Sequence, residues 1–161
     1  MKHGIDFYIN SDTTIKTKDS TIIGDHVAID KGFYCTTELE IGDYVHISVY
    51  CTVIGGKKGK FIMKDFTGLS AGCRIVCCGD NYLSGHLMNP TVPAKFRNIK
   101  NDKVVMERFS CLGTNCVVGA NSLVTQSTEP WMVYVGTPAK PIKKRPKNLS
   151  YKYAKELGYE L

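Results

Sequence analysis

The side chains of this 161-residue chain best suited to chemistry are its four histidines and seven cysteines. His3, His26, His46 and His86 are the groups that change protonation near neutral pH, the property a general base or a metal ligand needs. His86 stands near Asp80 and Tyr82, a grouping suited to a base or a proton relay. The cysteines are Cys35, Cys51, Cys73, Cys77, Cys78, Cys111 and Cys116. No two of them have the gap of a zinc knuckle and no His lies at ligand spacing, so no metal is expected. They read as reduced thiols filling small apolar positions, with Cys77-Cys78 the one place for a reactive thiol.

A third chemical feature is charge. The chain carries 21 Lys and Arg against 15 Asp and Glu, net +6. Lys140, Lys143, Lys144, Arg145, Lys147, Lys152 and Lys155 all fall in the last stretch, opposed only by Glu156 and Glu160. A solvated tail, a nucleic-acid patch and the phosphates of a cofactor each suit such a cluster. With no aromatic platform or reading motif beside it, nucleic acid is not expected as a partner.

These groups need a scaffold. The length fits one domain, and the 43% apolar content supports a packed core. No apolar run reaches the roughly 18 residues of a membrane span, and the first residues hold no secretory signal, so a cytoplasmic protein is expected.

The scaffold shows as a repeat of six. Ile23, Ile29, Cys35, Ile41, Ile47 and Val53 follow one another at that interval, as do Met63, Leu69 and Ile75, and then Met106, Leu112, Val118 and Val124. The residues two before each are mostly small or apolar, Cys51 and Cys73 among them. Gly follows in Ile23-Gly24, Ile41-Gly42, Leu112-Gly113 and Val118-Gly119. Period six fits neither a helix nor a simple alternating strand. It fits a parallel β-helix of triangular section, where three units of six close a coil and neighbouring coils share hydrogen bonds. His46 precedes the inward Ile47 and should therefore face outward. The repeat breaks at Gly55–Lys60, a corner loop, and between Ile75 and Met106, a stretch too long for a connector. That arm carries Asp80, Tyr82, His86, Asn89 and Arg97, and Gly79 and Gly85 offer it hinges. Strand structure is expected from about Thr21 to Thr125, then a helix over 149–157 capped by Asn148 or Ser150.

With these residues in view, the chain resembles the hexapeptide-repeat acyltransferases. The resemblance covers about residues 20–145. It rests on IGDYVHISVYCTVIGG, DFTGLSAGCRI, GDNYLSGHLMNPTVPAKFRN and VGANSLVTQSTEPWMVYVGTPAKPIKKR. It implies a left-handed parallel β-helix over residues 1–145, with an excursion at 77–103 and a basic helical tail at 146–161. It also implies a homotrimer with active sites between copies, acetyl-CoA as donor, and a sugar or nucleotide-linked amino-sugar acceptor used in surface polysaccharide. The resemblance makes His46 the candidate base, with His86 its competitor, and Asp80, Tyr82 and Asn89 acceptor contacts. Gly113, Thr114, Ala120 and Thr125 match positions lining the pantetheine groove. Gly136, Thr137, Pro138 and Lys140 match the closing motif at the CoA adenine. Lys140 and Lys143, with Lys144 and Arg145, are candidates for the CoA phosphates.

Two departures from the family pattern stand out. Leu112-Gly113-Thr114-Asn115 runs straight into Cys116-Val117-Val118, about two hexapeptides short, and Met63-Lys64 replaces the usual Ile-Gly. Two other functions compete. A zinc β-helix enzyme of the carbonic-anhydrase kind needs three converging histidines, and the H-x4-H spacing is absent. A non-catalytic β-helix assembly subunit needs no site.

Overall fold

The computed structural model describes residues 1–113 and 118–160. It falls into two compact units, Met1–Arg108 and Phe109–Leu161.

The first unit is a parallel β-helix. Its coils contribute β1 (Lys2–His3), β2 (Phe7–Ile9) and β3 (Thr14–Ile15), then β4 (Ile22–Ile23), β5 (Val27–Ile29) and β6 (Tyr34–Cys35). Above them come β7 (Glu38–Ile41), β8 (His46–Ile47) and β9 (Thr52–Ile54), then β10 (Lys60–Met63), β11 (Gly68–Leu69) and β12 (Arg74–Val76). After the arm, which holds β13 (Cys78–Asp80) and β14 (Ile99–Asn101), the chain returns as β15 (Lys103–Met106). Three parallel sheets result, β1-β4-β7-β10-β15, β2-β5-β8-β11 and β3-β6-β9-β12.

The register follows the repeat. Ile23 pairs with Ile41 and Ile29 with Ile47, each one coil of 18 apart. Ile41 pairs with Met63, a step of 22, because the Gly55–Lys60 corner adds four residues. Both the sixth-position residues and those two before them point inward. Ile29, Leu39, Ile47, Val53, Phe61 and Met63 have no exposed surface. Burying each contributes roughly 1.5–3 kcal/mol, which pins the register of every coil.

Glycine in one corner has a specific cause. The Asp25 carboxylate accepts a hydrogen bond from the Ile5 N–H of the coil below at 2.7 Å. Asp43 accepts one from Asp25 N–H at 2.7 Å, and Asp65 one from Asp43 N–H at 3.0 Å. Each carboxylate thereby occupies the space where a Cβ on Gly4, Gly24 or Gly42 would stand. Above Lys64 the matching residue is Arg108, which pairs with Asp65 at 2.9 Å and sends no carboxylate downward. A side chain is therefore tolerated at Lys64, which bonds Glu107 at 2.6 Å. The departure from Ile-Gly follows from the loss of the aspartate above it.

Several expectations change. The β-helix begins at Lys2 rather than near Thr21, with His3 paired to Ile23. Two extra residues between Ile15 and Ile23 break the period and hide the first coil. The arm is built on an antiparallel hairpin, Cys78 to Asn101 and Asp80 to Ile99. Gly79 lies inside β13 opposite Lys100 and is no hinge, whereas Gly85 takes φ +71°.

The second unit holds β16 (Cys111–Leu112), β17 (Met132–Val135), β18 (Lys140–Lys144) and α1 (Asn148–Glu156). Val118 is buried and bridges Leu112 and Tyr134, but Leu112 is only half-buried and Val124 is exposed. The six-residue period thus ends at Val118, and no strand lies between it and β17. Cys111 is disulfide-bonded, against the all-reduced expectation.

The helix starts one residue earlier than expected, with Lys147 at the N-cap and no side-chain cap bond. It ends where Gly158 takes φ +89°, with Gly158 N–H bonded to Lys155 O and Tyr159 N–H to Ala154 O, a Schellman closure. Phe109, Trp131 and Tyr151 form an aromatic cluster at its base, with centroids 5.2–5.8 Å apart.

Candidate active site

His46 sits in β8 on the outer face of its sheet, as the alternation about Ile47 requires. Its strand neighbours are Ala28 below and Gly68 above, so the imidazole stands over two of the smallest residues in the chain. The side chain is 57% exposed. Its Nε2 lies 3.0 Å from Oδ2 of Asp30, whose carboxylate is two-thirds covered. A carboxylate there fixes the ring's orientation and which nitrogen faces outward. Asp30 was not singled out from sequence. The signal was available, because Asp30 directly follows the inward Ile29 and so belongs to the corner leaving the strand beside β8.

His86 stands apart from this pair. Its Nδ1 lies 3.0 Å from Ser84 O and 3.1 Å from Ser84 Oγ, and among the described residues no hydrogen bond joins it to His46 or Asp80. The expected pairing of His86 with Asp80 is absent because that carboxylate is engaged elsewhere. Arg97 donates to it twice, Nε to Oδ1 at 2.9 Å and Nη2 to Oδ2 at 3.1 Å. Asn89 N–H donates to Oδ2 at 2.9 Å. The Arg97 guanidinium, then the Asn89 amide, hold the Asp80 carboxyl below its ordinary range. Asn89 in turn takes φ +88° and accepts from both the N–H and the hydroxyl of Thr91. Asp80, Asn89 and Arg97 therefore brace the arm from within, and Tyr82 projects from it, 75% exposed.

The residues matched to a CoA groove lie in the second unit. Gly113 takes φ +124° and bonds Val118 O at 2.8 Å, Ala120 and Thr125 are exposed, and Thr114 lies outside the described residues. Gly136, Thr137 and Pro138 form the tip of the β17–β18 hairpin. Ser122 Oγ accepts from Gly136 N–H at 3.0 Å and Thr137 Oγ1 donates to Asn121 O at 3.0 Å, tying the tip to that segment. Lys140, Lys143 and Lys144 are exposed along β18, and among the described residues no carboxylate comes within 4.0 Å of Lys140 or Lys143. Arg145 differs. Its guanidinium donates to Phe109 O at 2.7 Å and lies 5.2 Å from the Trp131 ring centroid, so it is used in holding the aromatic cluster.

Among the described residues no group of three or more His, Cys, Asp or Glu is placed to hold a metal ion. Among the described residues no helix is long and apolar enough to cross a membrane.

The comparisons with known proteins decide the family. The chain is 32% identical over 148 residues to the dTDP-4-amino-4,6-dideoxy-D-glucose acyltransferase of Escherichia coli, covering 81% of this chain and 75% of that enzyme. The chain belongs to the hexapeptide-repeat acyltransferase family. No family model matches it. Among solved structures, this acyltransferase is similar to AntD, an N-acyltransferase from Bacillus cereus, in complex with dTDP and 3-hydroxybutyryl-CoA. The TM-score is 0.86 at 28% identity, over 97% of this chain and 90% of that one. A variant of AntD in complex with dTDP-4-amino-4,6-dideoxyglucose and Coenzyme A matches with TM-score 0.89 at 27% identity, over 98% and 90%.

Proposed function

We propose that this acyltransferase moves an acyl group from acyl-coenzyme A to the amino group of a nucleotide-linked amino-sugar. The observation that carries the reading is the likeness, across nearly the whole chain, to an N-acyltransferase in complex with both a dTDP-linked amino-sugar and Coenzyme A. The acceptor nitrogen attacks the thioester carbonyl, the carbon–sulfur bond breaks, and the thiolate leaves. The attacking nitrogen must shed a proton, and His46 oriented by Asp30 is the group for it. An amine is nucleophilic once neutral, so this base matters less than it would for a hydroxyl acceptor.

Lys140 and Lys143 meet the donor phosphates in this reading, as exposed cations with no partner carboxylate among the described residues. Gly113, Thr114, Ala120 and Thr125 line the pantetheine, and Gly136, Thr137 and Pro138 border the adenine. The arm approaches the acceptor, with Tyr82 as its exposed contact and Asp80 and Asn89 shaping the loop that meets the sugar. Acetyl is the donor group. The enzyme works in the cytoplasm as a homotrimer that completes the site between copies, on a precursor of surface polysaccharide.

Release of free thiol from acetyl-CoA tests the reading, against dTDP-linked amino-sugars and matched sugars bearing hydroxyl in place of the amine. Turnover confined to the amino-sugars supports it. Equal use of the hydroxyl compounds, or no thiol release with any acceptor, overturns it.

A further inference from the structure

Cys51 and Cys73 take no part in the chemistry described above, yet the coils bring them together. Both occupy the inward position two before a repeat residue, Val53 and Ile75. Thr52 pairs in register with Arg74, and Thr52 N–H donates to Cys73 O at 2.9 Å, so the two cysteines stand side by side on successive coils. Parallel strands run about 4.8 Å apart. That spacing lies within the roughly 4.4–6.8 Å between Cα atoms that a disulfide bridges.

The environment of the pair is asymmetric. Cys51 is fully buried, with Sγ 3.1 Å from Ser70 O and within hydrogen-bonding reach of the Cys73 sulfur. Cys73 is only partly covered, at the corner where the chain turns into β12. The Cys51 thiol favours the Cys73 thiolate and lowers Cys73 to about 7, while Cys51 itself is raised. One sulfur is thus accessible and ionisable, and the other is held beside it as a resolving thiol, the arrangement of a redox-sensitive pair. Cys77 and Cys78, adjacent in sequence, lack this division of roles. Burial pushes the Cys77 thiol up to about 11.

We propose that Cys51 and Cys73 form a reversible cross-coil disulfide when the protein meets a hydroperoxide. The Cys73 thiolate attacks one peroxide oxygen, the O–O bond breaks, and the departing oxygen takes up a proton and leaves as an alcohol or water. Cys73 becomes a sulfenic acid, the peroxide having accepted two electrons. The Cys51 sulfur then attacks the Cys73 sulfur, the S–O bond breaks, and water leaves with the Cys51 proton. Two thiols and one hydroperoxide yield one disulfide, one alcohol or water, and one water. A dithiol restores both groups by exchange.

The test treats the reduced full-length protein with equimolar hydrogen peroxide and alkylates it. Tryptic peptides are then mapped without reduction. The Cys73 peptide, Asp65–Arg74, should appear joined to Gly32–Lys57, which holds Cys35 and Cys51, with fragmentation placing the bond on Cys51. Dithiothreitol should remove the link, and the oxidised protein should melt at higher temperature than the reduced one, because the bridge closes a loop in the unfolded chain. In Cys51→Ser, Cys73 should stop at the sulfenic acid and be trapped by dimedone. The mapping needs no variant, so a misfolded Cys51→Ser leaves the answer intact. A bond to Cys35, or Cys73 oxidised to sulfinic acid while Cys51 stays alkylatable, overturns the proposal. So does recovery of both residues as thiols after treatment.

Discussion

Asp30 Oδ2 lies 3.0 Å from Nε2 of His46, sixteen residues away along the chain. A full coil would set Asp30 beneath Ser48, so the contact is a diagonal one across neighbouring strands. It joins the outward residue of β8 to the end of β5, and it sits where Ala28 and Gly68 leave the imidazole uncovered. The carboxylate is more covered than the ring it serves, the order expected of an orienting group behind a base.

That relationship gives a graded outcome. His46→Ala should lower kcat by up to about 10², the weak end of the range for a lost general base, because an amine needs less help. Asp30→Asn should lower it by about tenfold, the equivalent of one hydrogen bond to a charged group. In both, the KM for acyl-CoA should hardly move. Steady-state kinetics with the acyl-CoA and acceptor varied separately check this. His86→Ala abolishing turnover while His46→Ala retains it would assign the base to the arm.

Lys140→Ala combined with Lys143→Ala should raise the KM for acyl-CoA several-fold and leave kcat nearly unchanged. Contacts to distant phosphates bind ground state and transition state alike. Exposed β18 tolerates the change, so thermal melting should match the parent. A fall in kcat at unchanged KM would exclude the phosphates as the partners of these lysines.

The Asp80–Arg97 pair makes the arm sensitive to acid. The folded Asp80 carboxyl is held below its ordinary value by Arg97 and the Asn89 amide. A depressed carboxyl contributes stability in full above its unfolded value, about 3.9, and loses it as pH falls through the lower folded value. Amide exchange at Asn81 and Asn89 should therefore be slow at neutral pH relative to intrinsic rates and lose protection below about pH 4. Asp80→Asn should give the unprotected behaviour at every pH and raise the KM for the acceptor. Equal protection in Asp80→Asn would show that the hairpin holds the arm unaided.

The corner ladder predicts a contrast between two glycines. A Cβ on Gly24 would lie 2.7 Å from the carbonyl carbon and oxygen of Gly42, besides meeting the Asp43 carboxylate. Gly24→Ala should cost about 1–3 kcal/mol, as overpacking does. Gly79 has nothing within 4 Å of its Cβ position, so Gly79→Ala should stay within about 0.5 kcal/mol. Denaturant melts of the two variants measure the difference, and equal midpoints would remove the ladder as the reason for glycine in that corner.

The interval of six settled which residues fill the interior, because an inward side chain recurs wherever successive strands and corners have the same length. Ile29, Ile47, Leu69 and Val118 were legible for that reason, and so was the outward direction of His46. Where corner lengths changed, legibility failed. The two residues added before Ile23 concealed the first coil, and Val124, on the same interval, is exposed and lies in no strand. Side-chain partnerships were beyond reach altogether. Nothing in the spacing announced that the hairpin would close Asp80 onto Arg97 and the Asn89 amide. Nor did it announce that Arg145, set among the lysines of the tail, would bond Phe109 O beside Trp131. Asp30 drew no notice until the coils set it against His46. Inward and outward are decided within a strand by alternation, a local property written in neighbouring residues. Which carboxylate meets which cation or imidazole depends on how many residues each intervening turn consumes and which way the closed coil then aims them, and only the folded chain fixes both.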